Sequence, residues 1–106
     1  MVKEFLFENG NKLKLDPTAM ASMVIFPQVF GHDWNKEETS ETFGHSSYVK
    51  LGYCMAKNAG EELPPFAEWV RTFGTSDAFK LSFCVNALAL QSDKPTVKPK
   101  KGNSRQ

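Results

Sequence analysis

The stretch Ser47–Phe73, SYVKLGYCMAKNAGEELPPFAEWVRTF, decides the fold. Its apolar residues recur at helical spacing, stop at Gly60, and restart behind Pro64 and Pro65. Tyr48, Leu51, Gly52, Met55, Ala56 and Ala59 form one continuous stripe, so a helix is expected from about Gly44 to Ala59. Gly52 on that stripe permits close approach by another element. Gly60 supplies the stop, because a residue past a helix end commonly turns left-handed. The paired prolines suit a second helix start, with Phe66, Trp69, Val70 and Phe73 on one side as far as Phe73. Two short helices sharing a turn make a packing unit, with no phosphate loop, metal-ligand spacing or paired acid and base.

Working outward, Gly74 closes that helix, and Thr75 or Ser76 is expected to cap another, with Asp77 in its first turn. This last helix carries Phe79, Leu81, Phe83, Cys84, Val85, Ala87, Leu88, Ala89 and Leu90, leaving few polar positions. A helix so apolar is buried on most sides, here with the help of a second subunit. Toward the amino terminus, Asp16-Pro17 starts a helix to about Ile25, with Met20, Met23 and Val24 inward. Pro27 predicts a break or kink at Phe26 and a further turn ending near Gly31. His32–Thr42 reads as an acidic surface loop with room for one helical turn. Residues 3–15 read as a β-hairpin around Asn9-Gly10-Asn11. A three-residue loop pairing Phe7 with Leu13 and Phe5 with Leu15 places all four apolar residues on one face, with Asn11 left-handed.

The chain has 106 residues, enough for one domain, and its 41% hydrophobic content supports a core. Charge is divided unevenly. Residues 1–91 hold eight Lys/Arg against eleven Asp/Glu, a net −3, whereas 92–106 hold five against one, a net +4. The fold class expected is therefore mainly α: a small four-helix domain with an N-terminal hairpin over 1–91, and a disordered basic tail over 92–106. No apolar run reaches the roughly 18 residues of a membrane span, and MVKEFLF lacks the features of a signal peptide, so a soluble, intracellular protein is expected.

The reactive residue types form no constellation. Cys54 and Cys84 sit among apolar neighbours and read as reduced, buried thiols. His45 and Cys54, nine residues apart on one helix, stand about 13 Å apart along its axis and cannot act as base and nucleophile. His32-Asp33 lacks the clustered ligands of a zinc site. Glu37-Glu38 and Glu61-Glu62 read as solvated acids. No catalytic residue, metal site or cofactor is expected. The lysine-rich tail has no aromatic residue for base stacking and the body is acidic, which argues against nucleic acid. A basic tail of this kind reads as a solvated linker or an electrostatic docking arm for an acidic partner. Apolar surface is the remaining candidate, and Phe26, Phe30, Trp34, Phe79, Phe83 and Leu90 are the expected partner-binding residues.

The layout of hairpin, small bundle with a helix–Ala-Gly-Glu–helix step (AKNAGEELPPFAEWV) and lysine-rich end resembles the tail assembly chaperones of long-tailed bacteriophages. The resemblance covers most of residues 3–91 and rests on layout and that one segment. It implies a non-enzymatic, self-associating helper in the cytoplasm of the infected bacterium. Such a helper coats the helical tape measure protein and is absent from the finished virion. In many members a ribosomal frameshift adds a longer form, which becomes a further partner. Two other roles fit the same sequence: a head–tail connector or completion subunit that stays in the virion, and a small regulatory or DNA-binding adaptor.

Overall fold

The computed structural model describes residues 2–92, and from residue 93 on the expected basic tail lies outside the described residues. The protein is mainly helical, with a two-stranded antiparallel hairpin at its amino terminus. Strands β1 (Lys3–Leu6) and β2 (Lys12–Leu15) lead into a π-helical turn, Ala21–Ile25, that runs directly into α1 (Phe26–Phe30). Then follow α2 (Trp34–Glu38), α3 (His45–Asn58), α4 (Phe66–Val70) and α5 (Asp77–Ser92). The four expected helices are present, and α2 is the helical turn allowed for in the acidic loop.

The central contact is α3 against α5. A methyl placed on Gly52 would lie 2.9 Å from Val85 Cγ2 and 3.5 Å from Leu81, so glycine lets the two helices close up. Leu51, Met55 and Ala56 from α3 and Leu81, Val85 and Leu88 from α5 are buried there. The hairpin contributes Phe5, Leu13 and Leu15 to the same core. Helix α3, buried at Val49, Tyr53 and Cys54 as well, is more enclosed than α5. It ends as expected: Gly60 has φ +92°, and its N–H and that of Glu61 bond back to Lys57 and Ala56 carbonyls.

Three expectations need correction. The hairpin pairs Phe5 with Leu13 and Lys3 with Leu15, two residues removed from the expected register. The three-residue loop is Glu8-Asn9-Gly10, not Asn9-Gly10-Asn11, and Gly10 rather than Asn11 is left-handed, at φ +92°. Glycine takes that conformation at no steric cost, and Asn9 Oδ1 accepts the Asn11 N–H at 2.8 Å, completing the turn. A shift of two keeps every side chain on its face, so the apolar set still points inward.

Instead of a break or kink at Phe26 the helix before Pro27 takes a π turn, and the further turn ends at Gly31 as expected. The backbone widens over Ala21–Ile25, and the Phe26 N–H bonds to the Ala21 carbonyl five residues back. That π turn adds a residue ahead of the proline and rotates the helix surface. Ala21 and Phe26 face inward as a result, while Met20, Met23 and Val24, expected inside, are exposed. Asp16 does not cap Pro17 as the first helical residue; its Oδ1 accepts the Thr18 N–H at 3.1 Å in a turn before the helix.

Third, α4 ends at Val70 rather than Phe73, and neither Thr75 nor Ser76 caps α5 through its own side chain. Ser76 precedes the helix and its carbonyl accepts the Lys80 N–H; Asp77, in the first turn as expected, accepts the Gly74 and Glu8 N–H groups, and Glu8 from the hairpin loop accepts from Ser76 N and Oγ. The loop thus brings a carboxylate to the positive end of α5. A methyl on Gly74 would lie 2.5 Å from Glu8 Oε1 and 3.2 Å from Asp77 Oδ2. Gly74→Ala is accordingly expected to swing Glu8 off Ser76 and lower the thermal midpoint by a few degrees. Calorimetry of Gly74→Ala beside Glu8→Ala checks this, since the two losses should largely overlap.

Candidate interaction surface

Helix α5 has two opposed apolar faces. Leu81, Val85 and Leu88 point into the core. At about 100° per residue, Phe79, Phe83 and Leu90 fall on the opposite side. They are 55%, 63% and 62% exposed, an unusual cluster of large apolar groups for one helix face. With Asn86 between them, Phe79, Phe83, Asn86 and Leu90 step by four, three and four residues. That is the seam spacing by which one helix packs along another, and a lone asparagine in such a seam sets register. Beside the seam lies an open groove of about 320 Å³, lined by His45, Ser46, Val49, Phe66, Val70, Ala78 and Phe79.

The exposed rings are held in place. His45, the first residue of α3, lies edge-on to Phe79 and Phe83, with ring centroids 5.0 and 5.3 Å away. Its Nδ1 is 2.8 Å from Ser82 Oγ, a buried hydroxyl on α5. The seam is therefore presented by a fixed helix end, which reduces the ordering cost of docking.

The other three expected partner-binding residues lie elsewhere. Phe26 is fully buried and offers a partner no surface; its ring stands 4.9 Å from Phe30 and 5.2 Å from Trp34. Phe30 and Trp34 are half-buried against the core, Phe30 meeting Phe66 at 5.1 Å and Trp34 meeting Tyr48 at 5.8 Å. The expected six-residue surface is thus divided, and only Phe79, Phe83 and Leu90 share a face. His45 and Asn86 belong to that face and were not among the expected residues. The spacing of Asn86 between Phe83 and Leu90 is the signal that would have found it; His45 reaches the seam only through tertiary packing.

The polar clusters hold elements together. Glu37, expected to face water, is buried, whereas its neighbour Glu38 is exposed. Glu37 Oε1 meets His32 Nε2 at 2.5 Å, and Oε2 accepts from Ser47 Oγ at 2.6 Å, with Lys50 Nζ at 3.5 Å. The carboxylate stands between imidazole and hydroxyl, so the ring cannot take the Ser47 proton directly, and the arrangement is a clasp from α2 to α3. Asp33, beside His32, caps α2 by accepting the Lys36 N–H at 2.8 Å. Burial pushes the Glu37 carboxyl upward, but its bonds to Ser47 and His32 and the Lys50 charge outweigh this and hold it below the ordinary carboxylate range. A depressed acid stabilises the fold above the unfolded-state value of about 4.3. That contribution disappears as pH falls through the lower folded value. Urea titrations from pH 6 to 3 should show stability declining in that window, with a shallower decline in Glu37→Gln.

Burial pushes the Cys54 thiol up to about 12, against a smaller opposing effect of Lys57, which leaves it protonated and inert near neutrality. Among the described residues no group of three or more His, Cys, Asp or Glu side chains is placed to hold a metal ion. No helix among them is long and apolar enough to cross a membrane. No family model, curated protein or solved structure matches the chain.

Proposed function

We propose that this protein is a non-enzymatic assembly chaperone. It self-associates and shields apolar helical segments of a phage tape measure protein while the tail is built. On this reading it works in the cytoplasm of the infected host and is left out of the virion. The observation that carries the reading is the solvent-facing Phe79–Phe83–Asn86–Leu90 seam on a helix whose other face anchors the core. A seam of that spacing fits a helix, the form expected of a tape measure client.

Its size fits transient use. A Phe or Leu side chain buried from such exposure removes on the order of 100 Å² from water, so the seam offers roughly 300 Å². A stable interface uses about 800 Å² per partner. Individual contacts are weak, and many copies along one extended client hold it soluble by avidity.

Co-expression with the tape measure protein of the same genome tests this. The client should become soluble and co-purify with several copies of the chaperone, and purified virions should lack it by mass spectrometry. An insoluble client, or a stoichiometric place in the virion, would overturn the proposal, the latter in favour of a connector subunit.

A further inference from the structure

The exposed face of α5 is complementary to itself. Along Phe79, Phe83, Asn86 and Leu90 the steps are four, three and four residues, a spacing that reads the same from either end. A second copy of the helix laid antiparallel therefore sets Phe79 against Leu90 and Phe83 against Asn86, and the reverse, as a two-fold axis requires. The two ends of the face differ in shape. Beside Phe79 opens the groove of about 320 Å³, walled by Val49 of α3 and by Phe66 and Val70 of α4. At the far end Leu90 stands out into solvent. Knob and groove are eleven residues apart, about 16 Å at 1.5 Å per residue.

We propose that two copies of this chain pair antiparallel through this face, about a two-fold axis at the level between Phe83 and Asn86, each seating its Leu90 in the groove of the other. The inference deepens the self-association in the proposed function, and rests on that reading for the client that displaces the second copy. Spacing, shape and charge together select this occupant. A parallel pair would gather both grooves at one end and both Leu90 side chains at the other, and neither groove would be filled. A slip of one turn would carry Leu90 past the groove and uncover a ring of each copy. Asp77 and Lys80 are the charged residues of α5, and at 100° per residue neither falls on the seam. In the antiparallel pair the two Lys80 side chains stand at opposite ends, and the helix dipoles oppose each other. The size of the face sets the strength. Three large side chains offer roughly 300 Å² per copy, so a pair hides on the order of 600 Å² before the groove walls are counted. A stable complex hides about 1,600 Å², so this dimer is weak and gives way to a helix that covers the same face.

Sedimentation equilibrium of the full chain from about 10 μM to about 1 mM, the range suited to so small an interface, reads the pairing. Monomer and dimer should exchange with concentration, and no larger species should form, because a two-fold pair is closed. In a mixture of carbon-13-labelled and unlabelled copies, isotope-filtered NOE spectra should connect the Phe79 ring to the Leu90 methyl groups. The two are too far apart within one helix to give that signal, so it reports the other copy. Leu90→Glu puts a charge into an apolar groove and should weaken pairing on the order of 100-fold. Its urea midpoint should stay at the wild-type value, since Leu90 is exposed. A chain that remains monomeric throughout the concentration range overturns the inference. So do contacts of Leu90 with Leu90 in place of Phe79, which would mean a parallel pair, and so does a Leu90→Glu dimer as strong as wild type. The proposed function fails separately. A dimer of this form that ignores a helical segment of the proposed tape measure client removes that function alone, and a monomer that binds the segment removes this inference alone.

Discussion

Replacing Phe26 with alanine should cost about 3–5 kcal/mol, the range for truncating a buried aromatic residue. The ring is completely enclosed and joins two arms of the core. One arm passes through Phe30 to Phe66 and Tyr53; the other passes through Trp34 to Phe43 and Tyr48. His32, which clasps Glu37, also lies edge-on to Phe26 at 5.6 Å. Its removal opens a cavity that rigid rings cannot collapse into, and loosens α2 at the same time. A domain of this size has about 5–15 kcal/mol to lose, so the variant gives up a large share of its stability and its thermal midpoint should fall by upwards of about 10 °C. Phe26→Leu keeps most of the volume and should lose less than half as much. Urea denaturation of the two variants checks the order. A Phe26→Ala loss below about 1 kcal/mol would show that the π turn does not anchor the core.

That π turn is also where sequence reasoning reached its limit. The stripe of α3, the Gly60 stop and the glycine approach at Gly52 were legible because each is a local pattern with one geometric meaning. Pro27 was read correctly as an obstacle to α-helix. The way round it was not legible, since a kink and a π turn both satisfy the backbone and only packing of Ala21 and Phe26 chooses between them. The choice inverted the faces of Met20, Met23 and Val24. The hairpin differs in kind. Alternation fixed which face Phe5, Leu13 and Leu15 occupy, but a shift of two preserves alternation. The actual register is selected by Gly10 and by Glu8, whose partners at Ser76 and Asp77 lie far along the chain. The burial of Glu37 is hidden in sequence for the same reason: it depends on Ser47 and Lys50 of another helix.

On the candidate surface, half of the expected residues share a face because α5 alone shows its two sides in sequence. Leu81, Val85 and Leu88 repeat at one phase, and Phe79, Phe83 and Leu90 at the opposite one. The total apolar content suggested burial all round; the phases show that only one side is used internally. The hairpin matters to this surface at a distance. By placing Glu8 at the start of α5 it fixes the helix end that carries Phe79, so the α5 cap and the exposed rings belong to one rigid unit.

Replacing both rings, Phe79→Ser with Phe83→Ser, should therefore separate binding from folding. The rings are more than half exposed and contribute little to the core, so unfolding free energy should change by less than about 1 kcal/mol, mostly through the lost edge contacts with His45. Each ring removes on the order of 100 Å² from water when a helix covers it, roughly 2.5 kcal/mol at 25 cal/mol per Å². Part of the two-ring total is lost to side-chain ordering, leaving a weakening on the order of 100-fold for a single helical segment. Titration calorimetry with an amphipathic helical segment of the proposed tape measure client measures that ratio, and urea denaturation of the same samples controls for folding. Asn86→Leu supplies the opposite change. Removing the one polar residue from the seam should strengthen association and relax its register, seen as larger and less uniform species in analytical ultracentrifugation. If the double serine variant binds the segment as wild type does and Asn86→Leu leaves the association state untouched, the seam is not where this protein meets its partners.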